Sequence, residues 1–470
     1  MGNVILLPAA FTNFTVSPEL YTIHAVSSIE NPGQSCECLH AESRTAAKRR
    51  QRYIFIYLKV SKNKINTFVK ILKNQHNVEQ EKDFKMIAKT IFGLEEVLAN
   101  ELLRLGAKKI ESHNRAVSFE GDTGFMYKAN LCLRTALRIL VPVETFRVHS
   151  EKSFYDSLQK IDWEKYMDVQ DTLAIDTVLN SELFKHSQYI SQKAKDAIVD
   201  QFRAKYGERP SVDLDKPTIR INIHIFNDTC TIALDSSGES LHKRGYRDKT
   251  NLAPINEVLA AGLVLLSGWD KRTNFIDPMC GSGTIVIEAA LIANNIPAGY
   301  FREDFGFQRW HKFMPFNEEL WNLIFDSAVN KITDHQQTII GGELSGNVAK
   351  KAKENVKLAK VDDIVTIRNC DMKDFDVPAG RGVVIINPPY GERMVKDNIE
   401  ELYKMMGDTF KAKFSGYDCW ILSPNLEALK NVGLRPSRKI TLYNGQLECK
   451  FMKYEMYQGT KKVHKLNKSV

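Results

Sequence analysis

Asp277-Pro278-Met279-Cys280-Gly281-Ser282-Gly283-Thr284 is the stretch on which the fold turns. A short apolar run at 273–277 reads as a strand before it, and Ile285 to Ala293 reads as a helix after it. Glycines between a strand and a helix let the backbone turn sharply and approach a ligand beside a helix N-terminus. As a dinucleotide fingerprint the stretch fails, because Val286 stands where the third glycine belongs. It also lacks the lysine of a phosphate-binding loop. Asp277 at the strand end favours a ligand with an ammonium group, and the methionine moiety of S-adenosylmethionine (SAM) carries one.

Outward from this loop the chain alternates strand and helix. Strands are expected at 338–342, 364–368, 383–387 and 418–422, with helical patterns between most of them. Pro254 suits the first position of a helix whose buried face is Ile255, Val258, Leu259, Leu263 and Leu266. This is the pattern of a doubly wound parallel sheet. Lys439 to Tyr443, Asn444-Gly445, then Gln446 to Tyr457 predict a closing hairpin. A parallel sheet ended by an antiparallel hairpin is the Rossmann-like architecture of class I methyltransferases.

The region before it reads as smaller α/β units. Leu94, Val97, Leu98, Leu102 and Leu105 follow helical spacing, with Gly106 as the cap. A strand at 116–120 and a helix over 124–140 follow. Ser191 to Tyr206 predicts a helix closed by Gly207. Ile219, Ile221, Ile223 and Ile225 alternate with polar residues, which marks a half-buried strand. Asn227-Asp228 turns it, and Thr229 to Leu234 returns.

The chain has 470 residues, enough for two or three domains. Hydrophobic residues at 43% and charged residues at 26% exclude a mostly disordered chain and a collagen. No run of 18 apolar residues exists, so no membrane helix is expected. Eight cysteines are too few for a disulfide scaffold, and Cys36 and Cys38 form only a CxC pair. Reduced thiols and a cytoplasmic location are expected. The net charge of +8 is concentrated at the ends: +5 in residues 1–85, +5 in 450–470 and −2 between. Nucleic-acid affinity must therefore come from local patches. The basic cluster Lys48-Arg49-Arg50-Gln51-Arg52 reads more readily as a solvated tail than as a binding site. Residues 53–60 form a weak strand pattern. A compact pattern begins near Phe84, and Met86 would serve as a start.

Three further positions complete a candidate site. Glu343, at the tip of the second strand, can accept both ribose hydroxyls. It lies sixty residues after Gly283 rather than about twenty. An insertion at 297–330, rich in aromatics, fills the gap; it reads as a satellite hydrophobic cluster sooner than as a substrate-facing flap. Asp371 can bond an adenine amine and Met372 can pack on the ring, although Asp also commonly caps a following helix. Asn387-Pro388-Pro389-Tyr390 is the most specific feature. An Asn carbonyl and a backbone carbonyl can accept the two hydrogens of an exocyclic base amine. The prolines stiffen that loop, and Tyr390 offers a face for the base. The base must leave its stack to enter. Neither a metal nor a covalent nucleophile is needed for methyl transfer from a sulfonium. In Leu241-His242-Lys243-Arg244-Gly245-Tyr246-Arg247, the cations Lys243, Arg244 and Arg247 can grip RNA phosphates; a solvated linker is the plainer reading.

With these motifs in order, residues 84–457 resemble the THUMP-domain RNA methyltransferases, and within them the bacterial 23S rRNA guanine-N2 methyltransferase L family. The stretches that carry the resemblance are Gly93-Leu94-Glu95-Glu96, Lys195 to Asp200, Leu241 to Asp248, DPMCGSGT at 277–284 and NPPYGER at 387–393. Phe305 to Trp310 also resembles a family stretch. The resemblance implies a ferredoxin-like plus THUMP module of α+β type, followed by a Rossmann-like SAM-dependent domain. It implies SAM contacts from Asp277, Gly281, Gly283, Glu343 and Asp371; Cys280, Met372 and Asn387 are expected to join them. It implies that Asn387, Pro388 and Tyr390 hold a guanine, with Pro389 expected to act beside them in the stiffened loop.

The expected organisation is an atypical extension at 1–83, disordered or an artefact of start-site choice. An RNA-binding region follows at 84–236, with THUMP proper from about 125. Then come a basic linker at 237–253, the methyltransferase domain at 254–458 and a basic tail at 459–470. The expected partner is 23S rRNA or a large-subunit precursor, with no membrane and no obligate protein partner readable. A second, 7-methylguanine-forming domain present in the enterobacterial member has no counterpart after Tyr457. Three other readings remain: a tRNA guanine-N2 enzyme, a DNA adenine-N6 enzyme, and a non-catalytic RNA-binding assembly factor.

Overall fold

The computed structural model describes residues 82–247, 254–334, 339–390 and 396–457. The cluster at 48–52, the run at 53–60 and the tail at 459–470 lie outside the described residues, as does the extension up to residue 81. No described helix is long and apolar enough to cross a membrane.

The N-terminal module begins with β1 (Phe84–Lys89) and α1 (Glu95–Leu105). Glu95 and Glu96 sit in the first turn of α1, where they suit the helix dipole. Gly106, at φ 98°, closes it as the spacing predicts. Then come β2 (Lys108–His113), β3 (Ala116–Gly121) and α2 (Thr123–Cys132), whose cap Asp122 accepts from the Phe125 N–H at 2.7 Å. After α2 the chain does not stay helical to 140 as expected. It straightens at Leu133, and β4 (Arg138–Arg147) begins. Tertiary partners override the local pattern there. Glu101 accepts the N–H groups of Arg134 and Thr135, each at 2.9 Å, and β4 pairs with β1.

Next are α3 (Glu151–Gln159), β5 (Thr172–Asn180), α4 (Ser187–Tyr206), β6 (Ser211–Val212), β7 (Ile219–Phe226) and β8 (Thr229–Asp235). All eight strands form one sheet in the order β2-β3-β1-β4-β8-β7-β5-β6. The small units read from the sequence are thus fused where β4 pairs antiparallel with β8. The four alternating isoleucines of β7 are all buried.

The second module starts at α5 (Glu257–Ser267). Its cap is Asn256, whose side chain accepts from Val258 and Leu259. Pro254 is therefore not the first helical residue but lies ahead of the cap. There follow β9 (Asn274–Asp277), α6 (Thr284–Ala293), α7 (Glu318–Val329), β10 (Ile339–Glu343), α8 (Gly346–Leu358), β11 (Val365–Asn369), β12 (Gly382–Ile386), α9 (Lys396–Lys413), β13 (Tyr417–Ser423), α10 (Leu426–Lys430), β14 (Arg438–Asn444) and β15 (Leu447–Glu455). The strand order is β11-β10-β9-β12-β13-β15-β14. The first five are parallel and the last two antiparallel, as the closing hairpin requires. This is the expected Rossmann-like sheet.

The aromatic insertion at 297–330 is neither a flap nor a satellite. Phe305, Phe307 and Trp310 are buried in the same core as the eight-stranded sheet. Phe307 stacks on Tyr127 of α2 with ring centroids 4.3 Å apart, and the Tyr127 hydroxyl accepts the Asn317 N–H at 3.1 Å. The insertion therefore plugs one module into the other. The sequence shows its aromatics but not which sheet they serve. A second junction runs the opposite way. Leu94 of the first module is fully buried in the core of the second. Gly93 has φ 87°, and a Cβ there would lie 2.5 Å from the Thr441 carbonyl oxygen of β14.

Candidate active site

The ends of β9, β10 and β12 meet where the strand order reverses direction, the usual ligand crevice of such sheets. A cavity of about 180 Å³ opens there. Asp277, Met279, Cys280, Gly281, Ser282, Thr284 and Asn387 line it, together with Pro254, Ile255, Ile285 and Val348. Residues 110 positions apart in the chain, Asp277 and Asn387, are thus brought to one hole. A larger open groove of about 440 Å³ along α9 holds none of the predicted residues.

The loop is built tightly. Gly281 (φ 53°) and Gly283 (φ 85°) take left-handed conformations that favour glycine. The Cys280 N–H donates to the Gly342 carbonyl at 2.7 Å, tying the loop to β10. Glu343 spans the gap: it accepts the Gly281 N–H at 3.1 Å with one oxygen and the Ser345 N–H at 2.8 Å with the other. Close β9–β10 packing explains the Gly341-Gly342 pair, since a Cβ on Gly341 would lie 2.9 Å from the Cys280 sulfur.

Asp277 is 1% exposed. Its carboxylate accepts the Met279 N–H at 3.1 Å and has no cation partner among the described residues. Burial pushes this carboxyl up to about 8; the Met279 N–H opposes the shift and the Glu343 charge adds to it. Burial also pushes the Cys280 thiol well above its ordinary value, which leaves it a poor nucleophile.

Asp371 caps a short turn at Met372–Asp374, accepting the Lys373 N–H at 3.0 Å. Met372 is buried in the core with Ile276, Ile340 and Phe375. Neither lines the cavity. At the NPPY loop, Pro388 is buried, Pro389 exposed, and Asn387 and Tyr390 half-buried. The Tyr390 hydroxyl donates to the Asn387 carbonyl oxygen and accepts from Asn444 at 3.0 Å. Asn444 was legible only as a turn residue; no spacing rule pointed to it.

The basic linker divides. Lys243 is exposed and pairs with Glu239 at 2.6 Å. Arg244 is 2% exposed and cannot grip a phosphate; this corrects its assignment to RNA. It meets Glu288 of α6 at 3.3 Å and donates to the Leu241 carbonyl at 2.8 Å. Arg247 is largely buried, pairs with Glu257 at 3.2 Å and donates to the Thr284 hydroxyl at the start of α6. Elsewhere Asp168, Asp171 and His311 bring possible metal-ligand atoms within 4.8 Å of one another. His311 lies 3.2 and 3.3 Å from the two carboxylates and Lys312 pairs with Asp168, so these groups already have partners in one another.

Comparison with known proteins agrees with this geometry. Residues 85–140 match the RlmL ferredoxin-like domain, 148–235 the THUMP domain, and 244–453 the RMKL-like methyltransferase domain. A Synechocystis sp. (strain ATCC 27184 / PCC 6803 / Kazusa) protein, slr0064, described as a candidate RNA methyltransferase, is 36% identical over 367 residues. That match covers 78% of this chain and 95% of slr0064. The chain belongs to the RMKL-like methyltransferase family. The ribosomal RNA large subunit methyltransferase K/L of Syntrophotalea carbinolica (strain DSM 2380 / NBRC 103641 / GraBd1) is 35% identical over 384 residues, 79% of this chain. The match spans 53% of that longer relative. The crystal structure of SMU.472, described as a candidate methyltransferase and complexed with SAH, is 30% identical. It superposes with a TM-score of 0.71 over 81% of this chain and 100% of its own.

The residues present fit the family's methyl donor. A buried carboxylate with no cation beside it is costly, and an ammonium would satisfy it. Asp277 offers this at the cavity, beside a glycine loop whose backbone a ligand can approach closely.

Proposed function

We propose that this chain transfers a methyl group from SAM to the exocyclic N2 amine of a guanine in 23S rRNA or a large-subunit precursor, acting in the cytoplasm. The observation that carries the reading is the shared cavity, which joins the Asp277–Gly281 loop to Asn387 of the NPPY loop. When bound, SAM supplies an electrophilic sulfonium methyl group. Asp277 takes the ammonium, and Glu343 the ribose hydroxyls. Asp371 and Met372 belong at the adenine end, with Met372 acting from the core. The Asn387 carbonyl oxygen and a backbone carbonyl of the loop accept the amine hydrogens, favouring a nucleophilic nitrogen. The reaction needs no metal. The THUMP and ferredoxin-like matches support RNA over DNA. The similarity to the K/L enzyme supports ribosomal RNA, and Lys243 is an exposed cation at the linker available for phosphate.

The test uses methyl-labelled SAM and RNA from cells lacking the protein. Label should appear in 23S rRNA as N2-methylguanosine and fall by at least about a hundredfold in Asn387→Ala, the scale of losing one preorganised polar contact. Label in tRNA would move the substrate. Label on DNA adenine would overturn the RNA reading. SAM binding without transfer to naked RNA or ribosomal particles would leave an assembly factor.

A further inference from the structure

We infer that Asn444 is a positioning residue for methyl transfer, acting through Tyr390 on Asn387. The inference rests on the reading of Asn387 as the acceptor for the target amine. Asn444 ends β14 at the Asn444-Gly445 turn, more than fifty residues from the NPPY loop. Its side-chain amide donates to the Tyr390 oxygen at 3.0 Å. Tyr390 in turn donates to the Asn387 carbonyl oxygen.

The direction of this chain matters. A phenol oxygen has one proton and two lone pairs. Asn444 donates into one lone pair, and the proton goes to the Asn387 carbonyl oxygen. The Asn387 amide is then held with its oxygen, not its NH2, toward Tyr390. That oxygen has a second lone pair, and it is an acceptor that a base amine requires. Turned over, Asn387 would present hydrogens to hydrogens. Burial raises the Tyr390 phenol well above its ordinary value, so it keeps the proton that it donates. The buried Cys449 thiol faces the same hydroxyl.

The hairpin that carries Asn444 is braced from outside the catalytic sheet. Tyr443 packs edge-on against Phe92, with centroids 5.5 Å apart, and lies under the Arg115 guanidinium at 5.2 Å. Both partners belong to the ferredoxin-like module. Glu95 holds that corner by accepting the Gly93 N–H at 2.7 Å and the Arg115 N–H at 2.9 Å. The ferredoxin-like module thus reaches to within one residue of a group that orients the catalytic amide.

The test is a double-mutant cycle. Asn444→Asp keeps the shape but can only accept, so it draws the phenol proton away from Asn387. It should lower kcat by about tenfold, the scale of one hydrogen bond lost in the transition state, with KM for RNA and Kd for SAM within about twofold. Asn444→His, which retains a donor, should recover part of kcat. In a Tyr390→Phe background, Asn444→Asp should cost nothing further. Full kcat in Asn444→Asp, or an undiminished loss in the Tyr390→Phe background, overturns the inference. Should the wild type methylate no nucleic acid, the proposed function fails by itself. The link is then read from the Asn387 side-chain amide resonance, assigned with Asn387→Ala. It should shift in Asn444→Asp but not when Tyr390 is already Phe; an unmoved resonance in Asn444→Asp overturns the link.

Discussion

Asp277 and Glu288 are buried carboxylates eleven residues apart, one before α6 and one inside it. Glu288 is fully buried and spends its charge on the interior. Arg244 meets it at 3.3 Å and the Tyr246 hydroxyl donates to it at 3.2 Å. Arg244 also donates to the Arg134 carbonyl, and Arg134 itself donates to the Leu291 and Ile296 carbonyls at 3.2 and 2.7 Å. That network ties the first module to α6. Asp277 is almost as buried, yet among the described residues it has a single backbone N–H and no cation. Burial with a partner marks architecture. Burial without one, at the edge of a cavity, supports the proposed ligand site.

The strongest way to break this contrast is to remove the partner of Glu288. Arg244→Ala leaves a buried charge uncompensated and should cost about 3–5 kcal/mol in denaturant unfolding. The pair replacement Arg244→Met with Glu288→Leu should recover most of it, because the desolvation cost disappears with the charges. Unchanged stability in Arg244→Ala, with weakened RNA binding, would restore Arg244 to the RNA surface and dissolve the contrast.

Asp277→Asn probes the other side. It removes the charge proposed to meet the ammonium and should weaken SAM binding by about tenfold or more, the scale of one charge-assisted contact. Stability should move the opposite way. The folded carboxyl titrates near 8, above the usual 3.8. Between those values the folded state holds a proton that the unfolded state has lost, so this group's contribution falls as pH rises and its cost is complete above about 8. The Asn variant lacks that slope and should melt higher than wild type at pH 8. The ligand has the opposite sign. An ammonium favours the carboxylate, so SAM binding releases a proton below pH 8 and affinity rises with pH up to that point. Calorimetry in buffers of different ionisation enthalpy measures the release. A pH-independent affinity would remove Asp277 from the ammonium site.

How far the sequence carried can be read from the same residues. The parallel sheet, its hairpin and the DPMCGSGT loop were legible because each is local: periodicity, a turn dipeptide, glycines between strand and helix. The place of Glu343 at the tip of β10 was legible despite its sixty-residue displacement, because the strand before it was. Arg244 was not. A guanidinium among basic neighbours reads as surface until Glu288, 44 residues later, is found against it. The insertion failed for the same reason. Aromatics announce burial but not the surface that buries them, and Tyr127 lies nearly two hundred residues from Trp321. The helix expected to 140 stops at Cys132 because strand pairing outweighs local propensity.

The smallest expected effect sharpens the contrast most finely, since it compares neighbours. Lys243 and Arg244 are adjacent cations that the sequence treats alike, but Lys243 keeps its side chain 58% exposed and, among the described residues, pairs with the similarly open Glu239. An exposed pair of this kind contributes little to stability. Lys243→Ala should therefore leave unfolding unchanged within about 0.5 kcal/mol. If the linker faces RNA, the same variant should weaken RNA binding about threefold and reduce the salt slope by about one counterion, uniformly across sequences. Titration of RNA affinity against salt separates the cases. A lost counterion beside an intact fold assigns phosphate contact to Lys243 and interior architecture to Arg244. An unchanged slope would remove Lys243 from the phosphate path and leave the linker as a brace.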